Sequence, residues 1–314
     1  MYLLKAFFTL IRWKNLLIVY ITQLFTWLFV LLPFSKWSNN ALFLDVFNFH
    51  LLTISTILIA AAGYIINDYF DVKIDLRNKP DKVIIIKKIK KRWAMFWHSI
   101  FNIIGFVIAC YLAYENDFWT LPFIQFGSTI LLWVYSTHLK RMYISGNVVV
   151  AFLTALAIWT IAAYESSLYP YWTNEYLISY QVNPIWVVGI YSFFAFMLTW
   201  IREVIKDMED FKGDAEEGCL TMPIKIGLQK SSNFVLLLSA ITLIPLVIAV
   251  VKLLPSTWWF LGAYIFTCII APLIYWMTRV KKKATQKHYG ALSSALKLIM
   301  MSGIVGLLVL NFLY

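Results

Sequence analysis

Residues 67–75 read Asn-Asp-Tyr-Phe-Asp-Val-Lys-Ile-Asp, and they follow a segment from Val46 to Ile66 that holds no charged residue. Three carboxylates, Asp68, Asp71 and Asp75, therefore stand at the mouth of an apolar run, where they repel one another and resist leaving water. The same spacing, D-x-x-D-x-x-x-D, returns at Asp207, Asp210 and Asp214. With about 3.6 residues per helical turn, offsets of three and seven bring side chains within about 60° of the first, so each trio predicts one acidic stripe.

A stripe of like charges needs a compensating partner. A hard divalent cation supplies one, and Mg2+ favours one or two carboxylates completed by water and substrate phosphates. Acids beside an apolar run are also common solvated punctuation, and one trio alone would carry little weight. Two trios of identical spacing, the second four apolar runs after the first, favour the metal. Asp68, Asp71, Asp75, Asp207, Asp210 and Asp214 are thus the expected Mg2+ ligands and catalytic residues.

The rest of the chain has the composition of a polytopic membrane protein: 61% of its 314 residues are hydrophobic and only 14% are charged. Apolar runs able to cross a hydrocarbon core of about 30 Å lie at 14–34, 46–66, 95–114, 118–136, 147–165, 184–204, 233–252, 257–277 and 294–313. The first is too long, and too poor in small residues at its end, for a cleavable signal peptide. Nine spans with a cytoplasmic N-terminus place 24 of the 27 basic residues in inside segments. Lys36 and Lys252 fall outside, and Lys297 starts the last span. Because Lys and Arg in short loops stay cytoplasmic, this asymmetry supports the span count, puts the C-terminus outside and sets both acidic trios on the cytoplasmic side. The expected fold is all-α, with nine transmembrane helices around a central cavity. The order of spans and acids suggests two four-helix units, about 1–146 and 147–277, plus a ninth helix at 294–313, with the site on the inner seam.

The net charge of +11 has a membrane explanation. The run Lys87-Lys88-Ile89-Lys90-Lys91-Arg92 sits beside a span and suits anionic headgroups, so no nucleic-acid partner is expected. Cys110, Cys219 and Cys268 lack metal or redox spacing, and the four histidines show no ligand spacing, which leaves a zinc or haem reading without support.

These residues together resemble the UbiA superfamily of intramembrane prenyltransferases, and the resemblance covers essentially the whole chain. Its first motif, N-D-x-x-D-x-x-x-D, is matched by Asn67, Asp68, Asp71 and Asp75; its second by Lys206, Asp207, Asp210 and Asp214. Further agreement comes from Tyr135-Ser136 with Lys140, from Gly146-Asn147, and from Leu220-Thr221-Met222-Pro223 ahead of Gly227. Arg12 and Asn15 resemble the polar pair that opens the first helix. The segment from Arg202 to Asp214 is most similar to the digeranylgeranylglyceryl phosphate synthase branch. After the first motif many members carry Arg-Pro-x-Arg-Pro, where this chain has Asn78-Lys79-Pro80-Asp81-Lys82-Val83; lysine keeps the charge but lacks the planar fork of arginine.

The resemblance implies Mg2+-dependent transfer of a prenyl group from a polyprenyl diphosphate, geranylgeranyl diphosphate among the candidates, to a hydrophobic acceptor in the lipid bilayer. The acceptor is a glycerol-phosphate ether-lipid precursor or a quinone-type aromatic. It implies substrate binding by Arg12, Asn15, Asn67, Tyr135, Lys140, Asn147, Arg202 and Lys206, and an integral protein of a prokaryotic inner membrane. Fixed cations stabilise the charge that gathers on the departing diphosphate. A dry interior protects the allylic cation, and rings such as Tyr64, Tyr69, Phe70, Tyr135, Phe196 and Trp200 can face it. Two other classes share parts of this pattern: a terpene cyclase of the same superfamily, and a transporter with a metal-regulated gate.

Overall fold

In hydrocarbon a backbone amide has no water to bond, so an apolar chain closes its hydrogen bonds within helices. The computed structural model describes residues 2–78, 83–171, 183–280 and 284–310, and the described residues form thirteen α-helices. They are α1 (Tyr2–Leu10), α2 (Trp13–Thr26), α3 (Leu32–Ser38), α4 (Val46–Asn78), α5 (Lys91–Glu115), α6 (Pro122–Thr137), α7 (Ser145–Tyr164), α8 (Pro184–Glu209), α9 (Phe211–Glu216), α10 (Met222–Leu253), α11 (Trp259–Ile265), α12 (Ala271–Arg279) and α13 (Gln286–Leu310). The one extended feature among them is an isolated bridge between Ile85 and Ile89.

Two breaks have a common cause. A π turn, Trp27–Leu31, joins α2 to α3 just before Pro33, and another, Phe266–Ile270, joins α11 to α12 just before Pro272. Each proline withholds the N–H that the carbonyl four residues earlier would take, and the wider turn absorbs the lost bond. In α10 the kink falls at Gly227, whose φ of 83° is open to glycine and costly for other residues.

Among the described residues, eight helical stretches are long and apolar enough to cross a membrane: Trp13–Lys36, Val46–Lys73, Lys91–Glu115, Ser145–Tyr164, Pro184–Glu209, Met222–Leu253, Trp259–Arg279 and Gln286–Val309. The expected span at 118–136 corresponds to α6, whose 16 residues reach only about 24 Å at 1.5 Å per residue. Pro122 at its start and the turn before it shorten the helix relative to the apolar run. The 33 residues of α4 reach about 50 Å, so this helix carries the first acidic motif well beyond its apolar part.

The chain packs as two compact units, each with its own core. In the first, made of Met1–Trp27, Phe34–Lys140 and Ala157–Ile185, α4 lies along α5 and α6, and Leu10, Ala61, Ile65, Val72, Ile85 and Ala94 are buried together. Gly63 permits the α4–α6 approach, since a Cβ there would stand 2.8 Å from Leu132 Cδ2. At the end of α4 away from the motif, the buried Glu165 accepts backbone N–H bonds from Phe43 at 3.0 Å and Leu44 at 2.9 Å. That carboxylate satisfies loop donors that apolar surroundings would leave orphaned.

The second unit comprises Leu28–Pro33, Arg141–Leu156 and Trp186–Tyr314. Ile201, Val204, Ile205 and Met208 of α8 pack with Val235 of α10, Leu273 and Trp276 of α12, and Tyr289 and Leu296 of α13. This apolar face of α8 fixes the helix whose last turn bears Asp207. Trp276 Nε1 donates to the Leu292 carbonyl at 2.9 Å, and Tyr264 Oη to that of Ser302 at 2.7 Å, so these two polar tips are satisfied inside the unit.

Candidate active site

The first motif lies in the first unit, on one uninterrupted helix. Asn67, Asp68 and Asp71 project from the last turns of α4, and Asp75 is on the same helix with its side chain outside the described residues. Segment 79–82, where the chain departs from Arg-Pro-x-Arg-Pro, also lies outside them.

Each described acid of this motif meets a base brought from far along the chain. The backbone at Arg12 is left-handed, φ 51° and ψ 49°, and separates α1 from α2. For a residue with a Cβ that conformation costs about 1–2 kcal/mol, here offset by contacts. Arg12 Nη2 donates to Asp68 Oδ1 at 2.7 Å, and the guanidinium lies 4.9 Å from the Tyr64 ring centroid. Burial acts against the Arg12 charge, but Asp68, Tyr64 and Tyr135 outweigh it, and the net pKa is raised. Asn15 closes the same turn through its backbone N–H, 2.7 Å from the Arg12 carbonyl.

Lys140 arrives on a short 3-10 turn, Leu139–Arg141, just after α6, and its ammonium pairs with Asp71 Oδ2. The same oxygen accepts Asn67 Nδ2 at 2.8 Å. Asp71 is 3% exposed, and an ionised carboxylate at that depth needs such donors, because desolvation costs several kcal/mol per ion. The Arg12–Asp68 pair is wetter, with side-chain exposures of 39% and 20%, and belongs to the class worth about 0–1 kcal/mol.

The second motif lies in the second unit and is built differently. Asp207 belongs to the last turn of α8, Asp210 sits in the break before α9 with φ −92° and ψ 6°, and Asp214 is inside α9. The expected single helical stripe is therefore interrupted at its middle member. Aspartate is a poor interior helix residue and suits the position before a helix, and Glu209 and Asp210 crowd like charge at that point. The turn spacing survives, because Asp210 N–H reaches the Lys206 carbonyl at 2.9 Å and Asp214 N–H that of Asp210 at 3.1 Å.

Asn147, near the start of α7, donates through Nδ2 to Asp207 Oδ2 at 2.9 Å and so orients that carboxylate. Arg202 Nη1 and Lys206 Nζ both donate to Glu203 Oε1, at 3.1 and 2.7 Å. Glu203 thereby anchors two expected substrate-binding residues, as its place one turn before Asp207 suggests. Glu209 is half-buried with a carboxylate oxygen 3.1 Å from the position of a Cβ on Gly290. Glu165 went unnoticed in the sequence, where its only signal is an acid ending an apolar run.

The rings divide by unit. Tyr64 faces Arg12, Tyr69 lies under Lys91 at 5.1 Å, and Phe70 meets Trp133 edge-on at 5.8 Å. In the second unit Phe196, Trp200 and Phe234 form an edge-to-face series. Trp200 Nε1 is buried without a hydrogen-bond partner among the described residues.

Among the described residues no three Asp, Glu, His or Cys side chains converge as a ready-made cage. Mg2+ does not require one, since phosphate and water complete its octahedron. The donors fit: all are oxygens, and Asn67 Oδ1, buried beside Asp71, has no hydrogen-bond partner among the described residues. An orphaned buried acceptor costs about 1–3 kcal/mol, which a cation on that oxygen would recover.

Residues 24–302 match the UbiA prenyltransferase family, a run that holds both motifs, Lys140 and Asn147. This chain belongs to the UbiA prenyltransferase family. It is a prenyltransferase and an integral membrane protein. Similar relatives of this UbiA prenyltransferase include the digeranylgeranylglyceryl phosphate synthase of Methanobrevibacter smithii, 36% identical over 219 residues that cover 68% of this chain and 69% of that protein. The enzyme of the same name from Methanosphaera stadtmanae is 29% identical, covering 68% and 62%; that of Pyrococcus horikoshii is 33% identical, covering 59% and 58%. The chain thus spans under two thirds of the latter two. Its fold is that of a solved digeranylgeranylglyceryl phosphate synthase structure, with a TM-score of 0.66 at 24% identity over 98% of this chain and 99% of that one. A UbiA homologue from Archaeoglobus fulgidus solved with GPP and Mg2+ shares the fold at a TM-score of 0.59, 17% identity and coverage of 96% and 99%.

Proposed function

We propose that this UbiA prenyltransferase moves a geranylgeranyl group from its diphosphate to the hydroxyl of a glyceryl phosphate that already bears one such ether. The observation that carries the reading is the pairing of the motif acids with neutral amides and partly exposed bases: Asn67 and Lys140 on Asp71, Arg12 on Asp68, Asn147 on Asp207. Its kinship with digeranylgeranylglyceryl phosphate synthases supplies the acceptor class.

In this reading Asp68, Asp71, Asp75 and Asn67 of the first motif, and Asp207, Asp210 and Asp214 of the second, hold Mg2+, which neutralises the diphosphate as a Lewis acid. Arg12, Lys140, Arg202 and Lys206 present positive charge to phosphate oxygens; Asn15 closes the turn that holds Arg12, and Tyr135 favours the Arg12 charge. The allylic carbon–oxygen bond breaks, with its electron pair leaving on the diphosphate. Those cations stabilise the leaving group more as its charge grows. The acceptor oxygen then bonds the allylic carbon and loses its proton. We further place the N-terminus and both motifs on the cytoplasmic side of a prokaryotic membrane, in line with the distribution of basic residues.

The test is product analysis. Purified protein with Mg2+ and geranylgeranyl diphosphate should give the diether only when geranylgeranylglyceryl phosphate is added. Rapid cyclic hydrocarbon without acceptor would replace transfer by cyclisation, and absence of diphosphate cleavage under every condition would end the reading.

A further inference from the structure

The first motif contains its own counterions. Asp71 is fixed, with a side chain 5% exposed, whereas its partner Lys140 is 35% exposed. Asp68 and Arg12 repeat the asymmetry at 20% and 39%. The acids are the anchored half of each pair, and the long basic side chains are the half with room to swing.

We propose that Lys140 and Arg12 keep the first motif from taking a divalent cation alone, so that cation and diphosphate enter it together. This rests on the Mg2+–diphosphate reading above. A tethered ammonium competes for Asp71 Oδ2 at high effective concentration, and that oxygen is already shared with the Asn67 amide. A dication approaching the same oxygen meets an adjacent positive charge and must also shed tightly held water. A diphosphate removes both obstacles. Its oxygens are strong acceptors for guanidinium and ammonium, so both bases turn onto it and release Asp68 and Asp71 to the metal. The coupling is reciprocal: whatever the diphosphate adds to metal affinity, the metal adds to diphosphate affinity. Lys140 and Arg12 are then positioning residues for metal entry as well as phosphate contacts.

The experiment is Mn2+ titration of the full-length purified protein, following free Mn2+ by electron paramagnetic resonance, so that the readout is binding and not turnover. With Mn2+ alone, Lys140→Met should bind about tenfold tighter than the unaltered protein, the order expected for removing one adjacent charge. Lys140→Arg, which keeps the charge, should stay near the unaltered value. The gain should vanish in Lys140→Met/Asp71→Asn, which locates it at this pair. With inorganic pyrophosphate present, and its soluble metal complex held at equal concentration across variants, the unaltered protein should match or surpass Lys140→Met. Arg12→Gln makes the same test at Asp68 should Lys140→Met not fold. Equal affinity for Mn2+ alone in the charged and neutral variants, or a gain that persists without Asp71, overturns the proposal. The Mg2+–diphosphate reading is judged separately, by whether Asp71→Asn retains Mg2+-dependent turnover.

Discussion

Replacing Asp71 by asparagine separates what this carboxylate does for folding from what it does for chemistry. Its Oδ2 takes Asn67 Nδ2 at 2.8 Å and the Lys140 ammonium, in a site where Asp71 is 3% exposed. Removing one partner of a fully buried pair costs about 3–5 kcal/mol, but Lys140 is 35% exposed and can turn to water, so the stability loss should be nearer about 1–2 kcal/mol. The loss in rate should be larger. A ligand that stabilises charge only as the leaving group departs is worth on the order of 10²–10³-fold, about 3–4 kcal/mol. Asp68→Asn gives the control: its pair with Arg12 is wetter, so stability should fall by less than about 1 kcal/mol while turnover falls similarly. Thermal unfolding in detergent gives the first quantity, and Mg2+-dependent release of pyrophosphate from geranylgeranyl diphosphate with acceptor gives the second. If Asp71→Asn keeps turnover within about threefold of the unaltered protein, a span smaller than one ligand's contribution, the first motif has no part in the chemistry.

Asn147→Ala removes the amide 2.9 Å from Asp207 and should lower metal affinity by about 10–100-fold, the range for groups that orient ligands; a metal titration equal to the unaltered protein's would count against that role. Asp210→Asn should depress turnover without loss of monodispersity, and normal turnover would remove the second motif from the mechanism. Gly63→Ala puts a Cβ 2.8 Å from Leu132 Cδ2 and should cost about 1–3 kcal/mol by overpacking, seen as a lower unfolding temperature. Glu165→Gln weakens charged hydrogen bonds to the Phe43 and Leu44 amides and should destabilise by about 1.5–3 kcal/mol while the Michaelis constant for the diphosphate stays unchanged; a changed Michaelis constant with intact stability would contradict a purely structural Glu165.

Much of the architecture is legible along the chain because membrane spans are written locally: length and apolarity suffice. The expected runs at 46–66 and 184–204 fall inside Val46–Lys73 and Pro184–Glu209, and each extends because the backbone continues to bond itself into the interface. The run at 118–136 is where that reading weakens, since apolarity alone does not register that Pro122 starts the helix late. The acidic trios were legible as spacing, but their shapes were not: α4 carries the first unbroken, while the second crosses a break at Asp210. Hydrophobic periodicity contains no term for that local choice.

What the sequence determined by itself is the membrane character, the all-helical class and the two rows of acids, because each follows from residues near one another along the chain. The tertiary structure alone decided which partners those acids keep. Arg12 reaches Asp68 across 56 positions, Lys140 reaches Asp71 across 69, and Asn147 reaches Asp207 across 60. A charge acts through distance in space, and the separation of two side chains in space is set by how helices pack, which no spacing along the chain encodes.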